Sequence, residues 1–173
     1  ILGTPLTLVD LLQARAAHQP DSIAYIFLEN GETEAGALTY RQLAHKARAV
    51  AAYLQRLGAA GERVLLVYPP GLDYLVAFWG CLFAGSVAVP VYPPDPARLN
   101  RTLPRFESIV RAAQPKIALT TSGILALASK LIPPGAASSK GDRTPSGKLH
   151  WAATDPLGEA DAEGWQFPSS TPE

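Results

Sequence analysis

The chain has 173 residues, of which 15 are Lys or Arg and 15 are Asp or Glu, so its formal net charge at pH 7 is zero. This balance excludes a strongly basic or acidic protein and gives no reason to expect binding to nucleic acid or to an anionic membrane. A single cysteine excludes an internal disulfide. No apolar run approaches the roughly 18 residues of a membrane span, so a cytoplasmic protein is expected.

The first third of the chain predicts a helix, a β-hairpin and a second helix. Thr7 is a suitable N-cap for a helix that Pro20 ends. Residues 22–28 (SIAYIFL) predict a strand, and the Asn-Gly turn that follows predicts a partner strand near residues 37–39. Thr39 then caps a long amphipathic helix over residues 40–57. Its polar side chains are expected to face away from the core: Arg41, Lys46, Arg48 and Gln55.

The sequence Val-Tyr-Pro-Pro occurs twice, and each copy ends an apolar run. Residues 63–67 and 86–91 predict two buried strands, and residues 72–84 between them predict a buried helix. Two strands joined through a helix should lie parallel, so both Tyr-Pro-Pro copies should reach the same edge of one sheet. Ligands bind at that carboxyl edge in open α/β sheets. The alternative is that the prolines only stop the strands.

The same alternation continues to the end of the chain. The remaining predicted elements are a helix at 103–113 with Pro104 in its first turn, a strand at 116–120, a helix at 122–131 and a last strand at 149–153. Residues 133–148 are rich in Pro, Gly and Ser and predict a mobile loop. Residues after 155 are polar and are expected to trail over the surface. The elements together predict an α/β fold with a layered, mainly parallel sheet and helices on its faces.

Few side chains are arranged for catalysis or for binding a metal. Cys81 lies in an apolar stretch and is interpreted as a buried small residue, and Thr121-Ser122 as a helix N-cap rather than an anion site. Neither GxxxxGK[ST] nor GxGxxG occurs. None of the histidines is at metal-ligand spacing, and all three are interpreted as structural: His18, His45 and His150. The carboxylates near the end of the chain are interpreted as a solvated run: Asp155, Glu159, Asp161 and Glu163.

Several motifs in combination resemble the adenylate-forming enzymes. Residues 38–43 (LTYRQL) resemble their first core motif, L-T-Y-x-x-L, and residues 81–90 (CLFAGSVAVP) resemble their second. The two Tyr-Pro-Pro copies, the opening segment at 7–28 and residues 151–155 (WAATD) are similar to the fatty acyl-AMP ligase branch. The resemblance extends over roughly residues 6–167.

This resemblance implies an enzyme that uses ATP, with Mg²⁺, to activate a fatty acid as an acyl-adenylate. It further implies transfer of the acyl group to the phosphopantetheine of an acyl carrier protein, in polyketide, nonribosomal peptide or lipid biosynthesis. By the same resemblance, Tyr92, Pro93 and Pro94 lie on the side from which the acceptor thiol approaches. Stiff prolines at that place are expected to shape the choice of acceptor.

The chain departs from the family where the chemistry would be expected. The family's phosphate loop, T-S-G-S-T-G-x-P-K-G, is missing, and so is a starting methionine. Residues 1–173 are therefore expected to be an incomplete amino-terminal portion of an AMP-binding domain, with 156–173 as a linker-like tail toward the missing loop. No catalytic residue and no metal ligand can be assigned. The portion alone is expected to be inactive, to bind neither ATP nor Mg²⁺, and to need the remainder of the adenylation domain as its partner.

Two alternatives stay open. The chain could be the same portion of an acyl-CoA synthetase or of an amino-acid adenylation domain, since motifs of this length are shared. It could instead be a module kept for docking to other proteins without catalysis. Its low charged fraction, 17% against roughly 25% in typical soluble domains, would suit an exposed docking face.

Overall fold

Five helices and six strands alternate along residues 7–131 and 149–168, the part of the chain that the computed structural model describes, with side chains up to residue 127 in the fifth helix. The helices are α1 Leu8–His18, α2 Tyr40–Arg56, α3 Leu72–Ala84, α4 Leu99–Ala113 and α5 Ser122–Leu131. The strands are β1 Ile23–Glu29, β2 Thr33–Thr39, β3 Arg63–Val67, β4 Val87–Val91, β5 Ile117–Thr120 and β6 His150–Ala153. Short 3₁₀ helices occupy Pro96–Arg98 and Glu159–Gly164.

Four of the strands form one parallel sheet in the order β4-β3-β5-β6. Strands β1 and β2 pair separately as an antiparallel hairpin, whose turn places Asn30 and Gly31 at positive φ. The predicted α/β fold with a mainly parallel sheet and flanking helices is confirmed. None of the described helices is long and apolar enough to cross a membrane.

The sheet is covered on both faces, as the unbroken apolar run of β3 predicts. Val64 and Leu66 point toward the side of α2 and α3, and Leu65 and Val67 point toward α4. All four side chains are fully buried. Because successive side chains of a strand alternate between faces, a strand with two covered faces has no position for a polar residue.

Helices α2 and α3 lie unusually close where Gly80 faces Val50. A Cβ atom placed on Gly80 would lie 2.5 Å from Cγ1 of Val50 and 2.6 Å from its Cβ. Ala47 and Ala51 add further small, fully buried residues on α2. Helix α2 begins with a capping box in which Thr39 and Gln42 satisfy each other's backbone N–H groups, at 3.2 Å and 2.9 Å.

The start of α4 differs from the prediction. The helix begins at Leu99 instead of 103, directly after the 3₁₀ turn, so Pro104 lies in its second turn. The Asp95 side chain begins this segment by accepting from the N–H of Ala97 at 2.9 Å. Thr102 reinforces it, since its Oγ1 accepts from the N–H of Asp95 at 3.1 Å and donates to the carbonyl of Arg98 at 3.0 Å.

The expectation that residues after 155 trail over the surface is wrong for Trp165. Its indole N–H donates to the carbonyl of Phe83 at 2.9 Å, and its ring packs against the Phe83 ring with centroids 5.3 Å apart. The expectation that Arg48 and Gln55 face solvent is also wrong, because both side chains contact this late segment of the chain. Arg48 stacks on the Trp165 ring at 5.4 Å, and Gln55 bonds the backbone of Gln166. The loop predicted at 133–148 lies outside the described residues.

The contact between Gly80 and Val50 predicts an unusual sign for a helical Gly→Ala change. Alanine normally stabilises a helix interior relative to glycine, but Gly80→Ala is expected to lower the free energy of unfolding by about 1–3 kcal/mol because it forces α2 and α3 apart. Urea denaturation of the full-length protein, followed by tryptophan fluorescence, measures this. Gly123→Ala, in open space on α5, is the control and should not destabilise. Equal stabilities for the two variants would contradict the close packing.

Candidate functional site at the carboxyl edge of the sheet

Polar and aromatic residues follow all four strands of the parallel sheet at one edge. Tyr68 follows β3, Tyr92 follows β4, Thr121 follows β5 and Thr154 follows β6. Parallel pairing in register brings these strand ends side by side. The predicted meeting of the two Tyr-Pro-Pro copies at one edge is therefore correct.

The first copy lines a cavity together with Val91 and Tyr92 of the second, and we call this cavity the tyrosine-proline cleft. It encloses about 410 Å³ and is lined by Phe27, Tyr68, Pro69, Pro70, Gly71, Tyr74, Leu75, Pro90, Val91 and Tyr92. Tyr92 stands at the solvent side, with 76% of its surface exposed. Pro93 lines an adjoining groove that shares Pro90, Val91 and Tyr92 with the cleft. Pro94 follows in the same loop and is half-buried.

The chemistry of these walls favours an apolar or amphipathic occupant. Proline has no backbone N–H, so Pro69, Pro70 and Pro90 present carbon surface and no backbone hydrogen-bond donor to the cleft. Tyrosine adds large apolar rings with a polar tip. Because the proline ring holds φ fixed, the shape of the cleft is largely set before anything binds.

Hydrogen bonds join the strand ends beneath the cleft. The hydroxyls of Tyr68 and Thr154 lie 2.6 Å apart and are buried. Thr120 Oγ1 donates to the carbonyl of Val67 at 2.7 Å, and the N–H of Thr154 donates to the carbonyl of Thr120 at 3.0 Å. Burial, and not a neighbouring charge, is the main cause that raises the pKa of Tyr68 far above its usual range. The Tyr68 side chain is thus a neutral hydroxyl that anchors the floor of the cleft.

Side chains of the protein accept hydrogen bonds from the backbone N–H groups at the start of α5. Thr121 Oγ1 accepts from the N–H of Ile124 at 3.4 Å, which confirms the predicted N-cap. Asp155 accepts from the N–H of Ser122 at 2.7 Å and from its hydroxyl at 3.0 Å. Sequence reasoning missed Asp155 by assigning it to a solvated run. The signal was its place right after a strand, where a carboxylate reaches the positive end of the neighbouring helix.

Histidine and cysteine do not form a reactive centre in the described residues. His18 bonds the carbonyl of Ala14 at 2.8 Å, and His150 lies 3.1 Å from the hydroxyl of Tyr53. Burial raises the pKa of the Cys81 thiol to about 12, as suits the predicted buried residue. Within residues 7–131 and 149–168, no group of three or more His, Cys, Asp or Glu is placed to hold a metal.

A double-mutant cycle tests the floor of the cleft. Tyr68→Phe should destabilise the full-length protein by about 1–2 kcal/mol, because it removes the 2.6 Å hydrogen bond and leaves the buried Thr154 hydroxyl only the carbonyl of Thr120, at 3.5 Å. Thr154→Val should cost a similar amount, and the double variant should cost less than the sum of the two. Free energies of unfolding from urea titrations measure all three. Strictly additive losses would show that the two hydroxyls do not interact.

The fold and motifs have clear counterparts among known proteins. The family model described as AMP-binding enzyme matches residues 12–171. The chain is 43% identical over 166 residues to the medium-chain-fatty-acid–[acyl-carrier-protein] ligase JamA of Moorena producens (strain JHB), a match covering 94% of this chain and 26% of that protein. It is 41% identical over 124 residues to Disco-interacting protein 2 homolog A of Homo sapiens, covering 70% of this chain and 8% of that protein.

A solved structure agrees with these sequence matches. The fatty acyl-adenylate ligase from L. pneumophila, crystallised with acyl adenylate and pyrophosphate, superposes with a TM-score of 0.76 at 35% identity, over 94% of this chain and 26% of that one. The chain thus spans about a quarter of the length of the two ligases. The resemblance stated from the motifs is confirmed: the chain belongs to the family of AMP-binding enzymes and is similar, within it, to a part of the fatty acyl-AMP ligases.

Proposed function

We propose that the full-length protein is a ligase that activates a fatty acid with ATP and transfers the acyl group to the phosphopantetheine of an acyl carrier protein. The match to an acyl-carrier-protein ligase over 94% of this chain is the observation that carries the proposal. The pathway is polyketide, nonribosomal peptide or lipid biosynthesis. Residues 1–173 serve as the amino-terminal portion of the adenylation domain, and residues 156–173 lead toward its phosphate loop.

The proposed reaction has two steps. A carboxylate oxygen of the fatty acid attacks the α-phosphorus of ATP, forming an acyl-adenylate and releasing pyrophosphate. The pantetheine thiol, on losing its proton, attacks the acyl carbonyl, forming a thioester and releasing AMP. Mg²⁺ would neutralise the phosphates in the first step. In the proposal, Mg²⁺ and the nucleotide are bound by parts of the full-length protein other than residues 1–173.

The contribution of this chain in the proposal is to shape the acceptor side. In this proposal Tyr92, Pro93 and Pro94 act as the lip that the acceptor meets. Two observations support it: Tyr92 lines both the cleft and the adjoining groove, and Pro93 lines the groove. A pantetheine arm is flexible, mostly carbon and tipped by a thiol, so stiff apolar walls suit it. Walls that are already in place reduce the entropy lost when such an arm binds.

Two other functions remain as alternatives, and measuring pyrophosphate exchange distinguishes them from the proposed one. An acyl-CoA synthetase or amino-acid adenylation domain shares this fold, as structural neighbours of 21–23% identity illustrate. A non-catalytic docking module is the second, and the match to Disco-interacting protein 2 homolog A is the observation that keeps it in view.

Exchange of labelled pyrophosphate into ATP separates these functions. The full-length protein should catalyse exchange with fatty acids and not with amino acids, and residues 1–173 alone should catalyse none. Exchange that depends on amino acids would identify an amino-acid adenylation domain. Absence of exchange with every acid in the full-length protein would favour the docking module. The thioester product formed with holo carrier protein or with CoA then distinguishes the ligase from the acyl-CoA synthetase.

The lip of the cleft predicts a change in acceptor choice. Pro93→Gly/Pro94→Gly in the full-length protein should lower the ratio of transfer to holo carrier protein over transfer to CoA by about tenfold, because a flexible lip costs more entropy to order. The ratio is measured with both acceptors in one reaction. Pro115→Gly is the control, since Pro115 precedes β5 at the opposite edge of the sheet. An unchanged ratio in the lip variant would remove the lip from the proposal.

A further inference from the structure

A row of three arginines runs from the residue before α4 into the second turn of that helix, beside the tyrosine-proline cleft. Arg98, Arg101 and Arg105 are all exposed and line the adjoining groove, which encloses about 510 Å³. Arg101 and Arg105, four residues apart, lie on one side of the helix. Arg98, directly before its first residue, lines the same groove. Helix α4 packs onto the sheet through Val110 and the half-buried Phe106. Phe106 also lines the groove beside the arginines.

The charges of this row are largely uncompensated. Arg98 pairs with Asp95, with Nε and the carboxylate oxygen 4.0 Å apart. Among the described residues, no carboxylate forms an ion pair with Arg101 or Arg105. The groove is therefore an exposed surface of net positive charge on a chain whose net charge is zero.

The arginine row lies at the amino end of α4, where positive charge destabilises a helix. The first turn of α4 contains no acidic residue, although the positive end of a helix dipole favours anions and disfavours cations. Arg111, in contrast, lies in the last turn, where a cation is favourable. Helix dipole and arginines together attract negative charge to the groove, and this arrangement costs stability that binding an anionic partner would offset.

The groove adjoins the cleft. Pro90, Val91 and Tyr92 line both, so the exposed Tyr92 ring forms a shared wall between them. A partner held on the arginines can therefore place a flexible arm into the cleft without leaving the surface.

From these observations we propose that Arg98, Arg101 and Arg105 form the docking surface for an acidic face of the carrier protein. This inference rests on the function proposed above. The row covers seven positions from Arg98, just before the helix, to Arg105, about 10 Å at the rise of a helix. A row of that length matches carboxylates spread over a protein surface better than a single phosphate, which would need converging side chains.

The test uses the full-length protein and three thiol acceptors: an acidic holo acyl carrier protein, free pantetheine and CoA. Two double variants are compared, Arg101→Gln/Arg105→Gln and Arg101→Glu/Arg105→Glu, with Arg111→Gln as the matched control on the same helix. Transfer rates are divided by the pyrophosphate exchange rate of the same variant, so a defect in adenylation is not counted. The KM for the carrier protein should rise about tenfold with glutamine and further with glutamate, while kcat changes little.

Salt dependence provides a second measurement. Transfer by the wild-type protein to the carrier should weaken between about 0.05 and 0.5 M NaCl, and the glutamine variant should lose most of that dependence. Transfer to free pantetheine, which lacks the acidic protein, should be the same in wild type and variants.

The outcomes are distinguishable. If the variants keep the wild-type KM and salt dependence for the carrier, the docking surface is overturned and the proposed function stands. If transfer to CoA falls as much as transfer to the carrier, the row recognises nucleotide phosphates and the inference is overturned. If the wild-type protein transfers to no carrier protein at all, the proposed function itself fails and the inference fails with it.

Discussion

The structure depends on one strand that is bonded along both edges and covered on both faces. Strand β3 pairs with β4 on one side and with β5 on the other, and its residues Val64–Val67 are fully buried. From Val64 to Leu66 the strand is paired with a neighbour on each side, and from Val64 to Val67 its side chains are out of water, so a shift here would break hydrogen bonds and packing together. The positions of α2, α3 and α4 follow from it because each helix covers one of its faces.

The cleft follows from how this strand and its neighbour end. An apolar strand continues to pair until something prevents it, and two prolines after a tyrosine do so at the ends of both β3 and β4. Parallel register places the two ends next to each other. Pro69 and Pro70 thus stop a strand and also line the apolar cleft at the carboxyl edge, whereas Pro93 stops β4 and lines the adjoining groove. The two interpretations of the prolines that the sequence left open are compatible.

Local patterns predicted most of the elements, and long-range contacts account for what they missed. Helix α3 and strand β3 match their predicted bounds because a short apolar run between a glycine and prolines leaves little choice. The packing of Trp165 was missed because it depends on a carbonyl of Phe83, 82 residues earlier in the chain. Asp155 was missed for the same reason, since its partner Ser122 lies on a helix that precedes residues 132–148. No pattern within a window of the sequence contains such pairs.

The arginine row illustrates a different limit of sequence reasoning. Net charge and composition gave no hint of it, because 15 positive and 15 negative residues cancel over the whole chain, whereas recognition depends on where charges lie. The helical start at Leu99, four residues earlier than the pattern suggests, places Arg101 and Arg105 on one side of α4, with Arg98 directly before its first residue. The rigid apolar cleft and this charged groove then divide two tasks between adjoining surfaces. Fixed walls select the shape of what enters, while mobile exposed charges set how often and in which orientation a partner arrives. A substitution in either surface should therefore change a different kinetic step.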